Sequence, residues 1–212
     1  MPLTFDHLVY AVPDLDAACT AFAKTTGVKP VPGGAHPGRG TRNALVRLGE
    51  RTYFELIGPD AQQPAPSAGR WMSVDAVSSP TLTRWAVATT DLPATSNTIA
   101  QLYPPSAASP PITAGSRQTT DGDTLIWSML PPRPRPTIDV IPFAIDWSKS
   151  RVHPADSLPD GCALEAILLY TPDPDSLTAV LASLGAQVKV IASPKNRIVA
   201  RLDTPQGIVE IK

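Results

Sequence analysis

Three side chains within the first 60 residues are of types that do chemistry: His7 and Glu55, on predicted strands, and His36, in a predicted loop. His7 alternates with Phe5 and Val9 on one face of the β-rich run Phe5–Val12, while Leu8, Tyr10 and Val12 take the other face. Glu55 sits in the run Arg51–Ile57 and shares its face with Tyr53 and Ile57. A carboxylate in so apolar a strand needs a partner if it is to be buried. His36 belongs to the glycine-rich loop Pro32–Asn43, with the sequence PGGAHPGRGTRN. Gly33, Gly34, Gly38 and Gly40 let backbone N–H groups approach a ligand, and Arg39 and Arg42 add positive charge. Together with Thr41 and Asn43 they suit a carboxylate, phosphate or enolate oxygen. The His36 imidazole suits proton transfer at neutral pH. The loop is not a P-loop, because it lacks the GKS/T ending and opens no helix. No Ser-His-Asp or Cys-His arrangement is legible, and Cys19 falls on the core side of a predicted helix.

The elements that must position these residues follow a repeated order. Pro13-Asp14 ends the first strand, and Asp14 is suited to cap a helix that carries Leu15, Ala18, Ala21 and Phe22 and stops at Gly27. Val28–Val31, Asn43–Leu48 and Arg51–Ile57 complete a βαβββ unit. The same order returns as Leu82–Thr89, a helix through Ile99, Leu102 and Tyr103, then Ile112–Ala114, Thr124–Leu130 and Ile138–Ile145. It returns again as Ala163–Tyr170, a helix carrying Leu177, Val180, Leu181 and Leu184 and closed by Gly185, then Val188–Ile191, Ile198–Leu202 and Gly207–Ile211. Residues 3–60, 80–147 and 162–212 are therefore predicted to be three modules of one compact unit, with Glu210 matching Glu55. The 25 prolines cluster in Gln62–Pro66, Pro104–Pro111 and Pro131–Pro136, which reads as connectors, since proline cannot donate to a sheet ladder. Asp146 is placed to bond Arg84 across a sheet, and His153 falls in a connector, exposed or acting as a lid.

Composition excludes several classes. The 212 residues carry a net charge of −1 with pI near 6.3, so nothing electrostatic points to nucleic acid or an anionic membrane. No apolar run reaches the roughly 20 residues of a membrane span. The opening MPLTFDH lacks the basic and apolar regions of a signal peptide, and a cytoplasmic protein is expected. Two cysteines, Cys19 and Cys162, make no disulfide framework.

The motifs Asp6-His7-Leu8-Val9-Tyr10-Ala11-Val12, His36-Pro37-Gly38-Arg39-Gly40-Thr41-Arg42-Asn43, Phe54-Glu55-Leu56-Ile57 and Pro142-Phe143-Ala144-Ile145-Asp146-Trp147 resemble the glyoxalase-like domain family of the vicinal oxygen chelate superfamily. That superfamily includes glyoxalase I, ring-cleaving dioxygenases and bleomycin-resistance proteins. The resemblance implies an α+β fold of repeated βαβββ modules, whose mixed curved sheets form a cleft with helices on the outer face. It also implies one divalent ion (Zn, Ni, Fe or Mn) held by a first-strand histidine and last-strand glutamates, here His7, Glu55 and Glu210, with Glu165 as a further donor. His36 and Glu55 would then be the catalytic pair, and Arg39, Thr41 and Asn43 the substrate contacts. In the middle module Arg84, Trp85, Pro142 and Phe143 stand where ligands would be expected. The alternative reading makes His7 a hydrogen-bonded pocket histidine and Glu210 a partly exposed strand residue. The expected function is a metal-dependent lyase, isomerase or dioxygenase acting on a small oxygenated molecule. The alternative is a metal-free protein that binds or sequesters such a molecule. An odd number of modules also suggests a homodimer.

Overall fold

The computed structural model describes residues 3–102, 110–119, 122–186 and 188–212. Tyr103 and most of the Pro104–Pro111 run lie outside the described residues. The chain runs β1 (Thr4–Ala11), α1 (Leu15–Thr26), β2 (Val31–His36), β3 (Thr41–Gly49), β4 (Thr52–Pro59), β5 (Thr81–Ala88), α2 (Leu92–Ile99), β6 (Thr113–Gln118), β7 (Thr124–Leu130) and β8 (Phe143–Asp146). It continues as β9 (Ala163–Thr171), α3 (Pro174–Ser183), β10 (Lys189–Ala192), β11 (Arg197–Thr204) and β12 (Gly207–Ile211). The helix ends follow the local chemistry. The Asp14 carboxylate accepts from the Ala17 N–H and Gly27 closes α1 in the left-handed region, while Asp91 and Asp173 cap α2 and α3 in the same way.

Eight strands form one mixed sheet in the order β2-β3-β4-β1-β5-β8-β7-β6. Two halves of equal topology meet in it. β1 runs parallel to β4, with Val9 opposite Glu55, and β5 runs parallel to β8, with Ala86 opposite Phe143. The antiparallel pair β1–β5 joins the halves. The sheet curls until its two edges approach, and the Arg117 guanidinium of β6 donates to the Gly33 carbonyl of β2. His7, Glu55, Val9, Ile57, Ala86 and Phe143 belong to the concave face. Leu8, Val12, Phe54, Leu56, Trp85 and Val87 belong to the convex one, where they pack with the helices.

The third segment keeps the element order but not the strand order. Its four strands run β10-β9-β11-β12, with β9 parallel to β10 and antiparallel to β11. Ile167, Leu169, Ile198, Ala200 and Leu202 of this sheet join Leu8, Phe54, Trp85 and the helices in one core. The second sheet therefore covers the outside of the first and does not stand open as half of a barrel.

Three strands differ most from expectation, β2, β6 and β8. The strand predicted at Val28–Val31 is β2, Val31–His36, so the glycine-rich loop is mostly strand. Gly33 permits this, because a Cβ there would lie 2.4 Å from the Asn43 Oδ1 of the neighbouring strand. β6 extends to Gln118 rather than ending at Ala114. β8 begins only at Phe143, because the preceding stretch is held by Arg84. That guanidinium donates to the carbonyls of Thr83, Arg133, Pro136 and Thr137. Arg84 thus clamps a proline-rich loop instead of pairing with Asp146, whose carboxylate accepts from the Ser148 N–H.

Candidate active site

A bulge in the β1–β5 pairing between Phe5 and His7 puts Asp6 and His7 side by side, which strict strand alternation would forbid. Asp6 Oδ1 accepts from His7 Nδ1 at 2.5 Å, and Oδ2 accepts from Trp147 Nε1 at 3.0 Å and His153 Nε2 at 3.4 Å. Burial pushes the Asp6 carboxyl up, but the hydrogen bonds and electrostatic attraction of His153 and His7 outweigh it and hold the group below the ordinary range. His7 stacks on Tyr53 with ring centroids 4.5 Å apart, and the edge of Phe143 closes its other side. With Nδ1 committed to Asp6, His7 turns Nε2 toward the Glu55 carboxylate, 4.0 Å away.

Glu55 is 6% exposed. Its Oε1 accepts from Asn43 Nδ2 at 2.6 Å and lies 3.7 Å from His36 Nε2. The same Asn43 amide reaches His36 Nε2 at 3.3 Å, and His36 Nδ1 meets Thr41 Oγ1 at 3.0 Å. Burial, aided by Arg117 and Arg39, lowers the His36 pKa to about 4 against the pull of Glu55 and Asp60. The imidazole is therefore neutral at pH 7, and with the Asn43 amide donating to Nε2 its own proton sits on Nδ1, facing Thr41 Oγ1. Asn43 Oδ1 is buried without a hydrogen-bond partner. Burial also pushes the Tyr53 phenol well above its usual range, with the charges of Asp6 and Glu55 adding to the effect.

His7, His36, Asn43, Tyr53 and Glu55 form the polar wall of a cavity of about 40 Å³ faced by Trp127, Met129, Phe143, Ile145 and Arg117. His36, Trp71, Trp127 and Met129 are shared with an adjoining chamber of about 330 Å³ that also touches Arg39. Arg117 and Pro154 are shared with a second chamber of similar size. A wider cleft of about 1100 Å³ lies by the start of β1 and the N-terminal end of α2, and shares only Trp147 with the cavity. The titratable groups converge in the small cavity rather than in this cleft.

The structure brings His7, His36, Asn43 and Glu55 together. Thr41 is fully buried and holds His36 and the Trp71 indole N–H, so it positions the site rather than facing a ligand. Arg39 lies over the Trp71 ring at 4.9 Å, at the outer chamber. Arg42 is turned away and pairs with Asp16 at 2.8 Å. Glu210 does not belong to the site. It lies on the edge strand of the second sheet, exposed and paired with Lys212 at 3.2 Å. Glu165 likewise pairs with Arg201 at 3.4 Å. His153 is 2% exposed rather than on a solvated loop. Sequence reasoning missed Asp6, Tyr53 and Arg117. An Asp-His pair opening a strand was the one available signal, for Asp6.

The donor types here fit a divalent ion. His7 offers Nε2 with its other nitrogen on a carboxylate, an arrangement that orients metal-bound imidazoles, and Glu55 supplies an oxygen. Among the described residues, however, no three His, Cys, Asp or Glu side chains are gathered into a ready ligand set.

The glyoxalase-like domain family matches residues 5–185. Comparison with curated proteins yields no match. A hypothetical protein from Staphylococcus aureus is similar in structure, with TM-score 0.61 and 16% identity, over 99% of this chain and 84% of that one. A methylmalonyl-CoA epimerase from Streptomyces coelicolor, in complex with 2-nitronate-propionyl-CoA, gives TM-score 0.45 and 18% identity over 72% and 99%. The Mycobacterium tuberculosis methylmalonyl-CoA epimerase gives 0.38 and 17% over 67% and 85%. Two equal half-sheets curled around a His-Glu cavity and the family match over 5–185 lead to one statement: the chain belongs to the glyoxalase-like domain family of the vicinal oxygen chelate superfamily.

Proposed function

We propose that the protein is an enzyme acting on a small oxygenated molecule (a carboxylate, an oxoacid or a diol) in the cavity between the two half-sheets. One observation carries the reading. The Glu55 carboxylate is buried in the cavity wall, fixed by Asn43 and faced by two imidazole Nε2 atoms within 4.0 Å. So placed, Glu55 takes a proton from the substrate carbon or hydroxyl beside an oxygen. His36, neutral and with Nε2 unprotonated, is the second acceptor at 3.7 Å. Tyr53, Trp127 and Phe143 keep water out, which strengthens every charge interaction inside. His7 and Glu55 would hold a divalent ion, and that ion would supply Lewis-acid polarisation of the substrate oxygens, as in lyases, isomerases and dioxygenases of this type.

A second reading, metal-free binding without catalysis, rests on Asn43. Its amide already satisfies Glu55 Oε1 with no cation. Glu55→Gln separates the two, since glutamine keeps the shape and the acceptor for Asn43. The wild type and the variant are screened against 2-oxoacids, 2-hydroxyacids, catechols and diols, with and without Zn, Ni, Fe or Mn. An enzyme loses about 100-fold or more of its turnover in Glu55→Gln while still binding its ligand. A binding protein shows affinity in both and turnover in neither. Absence of both binding and turnover across the panel sinks both readings.

A further inference from the structure

The middle half-sheet puts one cation in the cavity wall. Arg117, on edge strand β6, is 9% exposed and lines both the small cavity and one adjoining chamber. Its Nη1 donates to the Gly33 carbonyl, and among the described residues it forms no ion pair with a carboxylate. Every other strongly buried guanidinium or carboxylate near the cavity is tied to the protein. Arg84 binds four carbonyls, Asp6 binds two histidines and a tryptophan, and Glu55 is held by Asn43. The remaining nitrogens of Arg117 are not sealed, partnerless atoms, and the residue lines both cavities. A guanidinium presents five N–H donors in a planar fork matched to a carboxylate. Burying one with a single carbonyl partner leaves most of that capacity unused, and the desolvation is opposed only by the charges of Tyr53 and Glu55, neither in an ion pair with it.

We infer that Arg117 is the anchor for the substrate's carboxylate, so that the molecule taken is a small 2-oxo or 2-hydroxy monocarboxylate held between Arg117 and Glu55. The placement is complementary along the cavity. A negative group rests on Arg117, and the adjacent oxygenated carbon then faces Glu55, His7 and His36, which line the same cavity. Two carboxylates would not fit equally well, because Glu55 already places a like charge in that cavity. The small cavity, about 40 Å³, together with the chamber beside Arg117, limits the ligand to a few heavy atoms plus a short tail. Arg117 also makes a hydrogen bond between edge strand β6 and β2, so an anion bound there ties substrate occupancy to closure of the sheet. This inference deepens the function proposed above and rests on it.

The test is binding of lactate, pyruvate and glyoxylate to the full chain, beside the neutral analogue lactamide, in the wild type, Arg117→Met and Arg117→Lys. Thermal shift and calorimetry give the affinities. The carboxylates are expected to weaken by about tenfold or more in Arg117→Met and to recover in part in Arg117→Lys, with lactamide changed little in either. Far-ultraviolet circular dichroism checks that both variants keep the fold, and Arg117→Lys decides the matter if Arg117→Met does not fold. Equal weakening of charged and neutral ligands, or carboxylate affinity untouched in either folded variant, overturns the assignment of Arg117 alone. Binding of catechols or diols that depends on Glu55, with no carboxylate bound, also overturns it while leaving the cavity's proposed function standing. No small molecule bound at all overturns both.

Discussion

At the level of single residues, the cavity depends on two histidines kept in one tautomer by different partners, a carboxylate for His7 and a hydroxyl for His36. His36 titrates far below an ordinary imidazole because it is buried, with its pKa lowered from 6.5 to about 4. The unfolded chain therefore binds that proton more readily throughout the interval between the two values. Stability must fall as pH drops from about 6.5 to about 4, by about 3 kcal/mol from this group. Denaturant unfolding at pH 7, 5.5 and 4.5 measures it, and His36→Gln is expected to flatten the slope across that window. A slope unchanged in the variant would assign the acid loss to other groups. Asp6 acts lower down. Its folded pKa is held below the ordinary carboxyl value of 3.8, so its share of stability is present above that value and is lost only as pH falls further. His7 and Glu55 were legible as candidates because a polar residue in an apolar strand demands a reason, and His36 because an imidazole stood among the glycines and arginines of a predicted loop. Asp6 was not, because only the bulge at Phe5/His7 turns it onto the same side.

Among the elements, β2 and β6 are the least strand-like in sequence and the most consequential for the site. Val-Pro-Gly-Gly-Ala-His and Thr-Ala-Gly-Ser-Arg-Gln carry few β-branched residues and no clean alternation, so periodicity marked one as a loop and truncated the other. What makes them strands is close approach of the backbones. At Gly33 an added Cβ would meet Asn43 Oδ1 at 2.4 Å and Cγ at 3.1 Å, and Asn43 is the residue that holds Glu55 and His36 together. Gly33→Ala is therefore expected to cost about 1–3 kcal/mol and to displace Asn43, which lowers ligand affinity in proportion. Gly38 supplies the contrast. Its φ is +71° but nothing lies within 4 Å of an added Cβ, so Gly38→Ala costs only about 1 kcal/mol of backbone strain and spares the cavity. Melting curves and ligand titration on the two variants separate a packing role from a conformational one. Equal effects would mean that Asn43 has room to yield.

For the molecule as a whole, the sequence repeat concealed a difference in use. Element order is readable from hydrophobic period and caps, and it recurs three times. Strand order is set by which faces must be buried, and that depends on contacts far apart in sequence. The first two segments pair parallel through their first and last strands and enclose the cavity. The third pairs β9 with β10 and β11 and leaves β12 at an edge, which is why Glu210, so like Glu55 in its local sequence, ends exposed beside Lys212. The third segment instead buries the convex face. Leu169 and Ile198 are fully buried against the core that includes Leu8, Phe54 and Trp85, the residues on the back of the strands that carry His7 and Glu55. Leu169→Ala removes about three methylene-sized groups from that contact and should cost about 2–5 kcal/mol of global stability. None of the cavity's lining residues comes from β9. Ligand affinity of the protein that remains folded should therefore stay at the wild-type value. Equilibrium unfolding paired with titration at low temperature, where the variant is still native, measures both quantities. Lost affinity at full folding would show that the second sheet tunes the cavity through the β1–β5 joint, and would give the third segment a part in function as well as in stability.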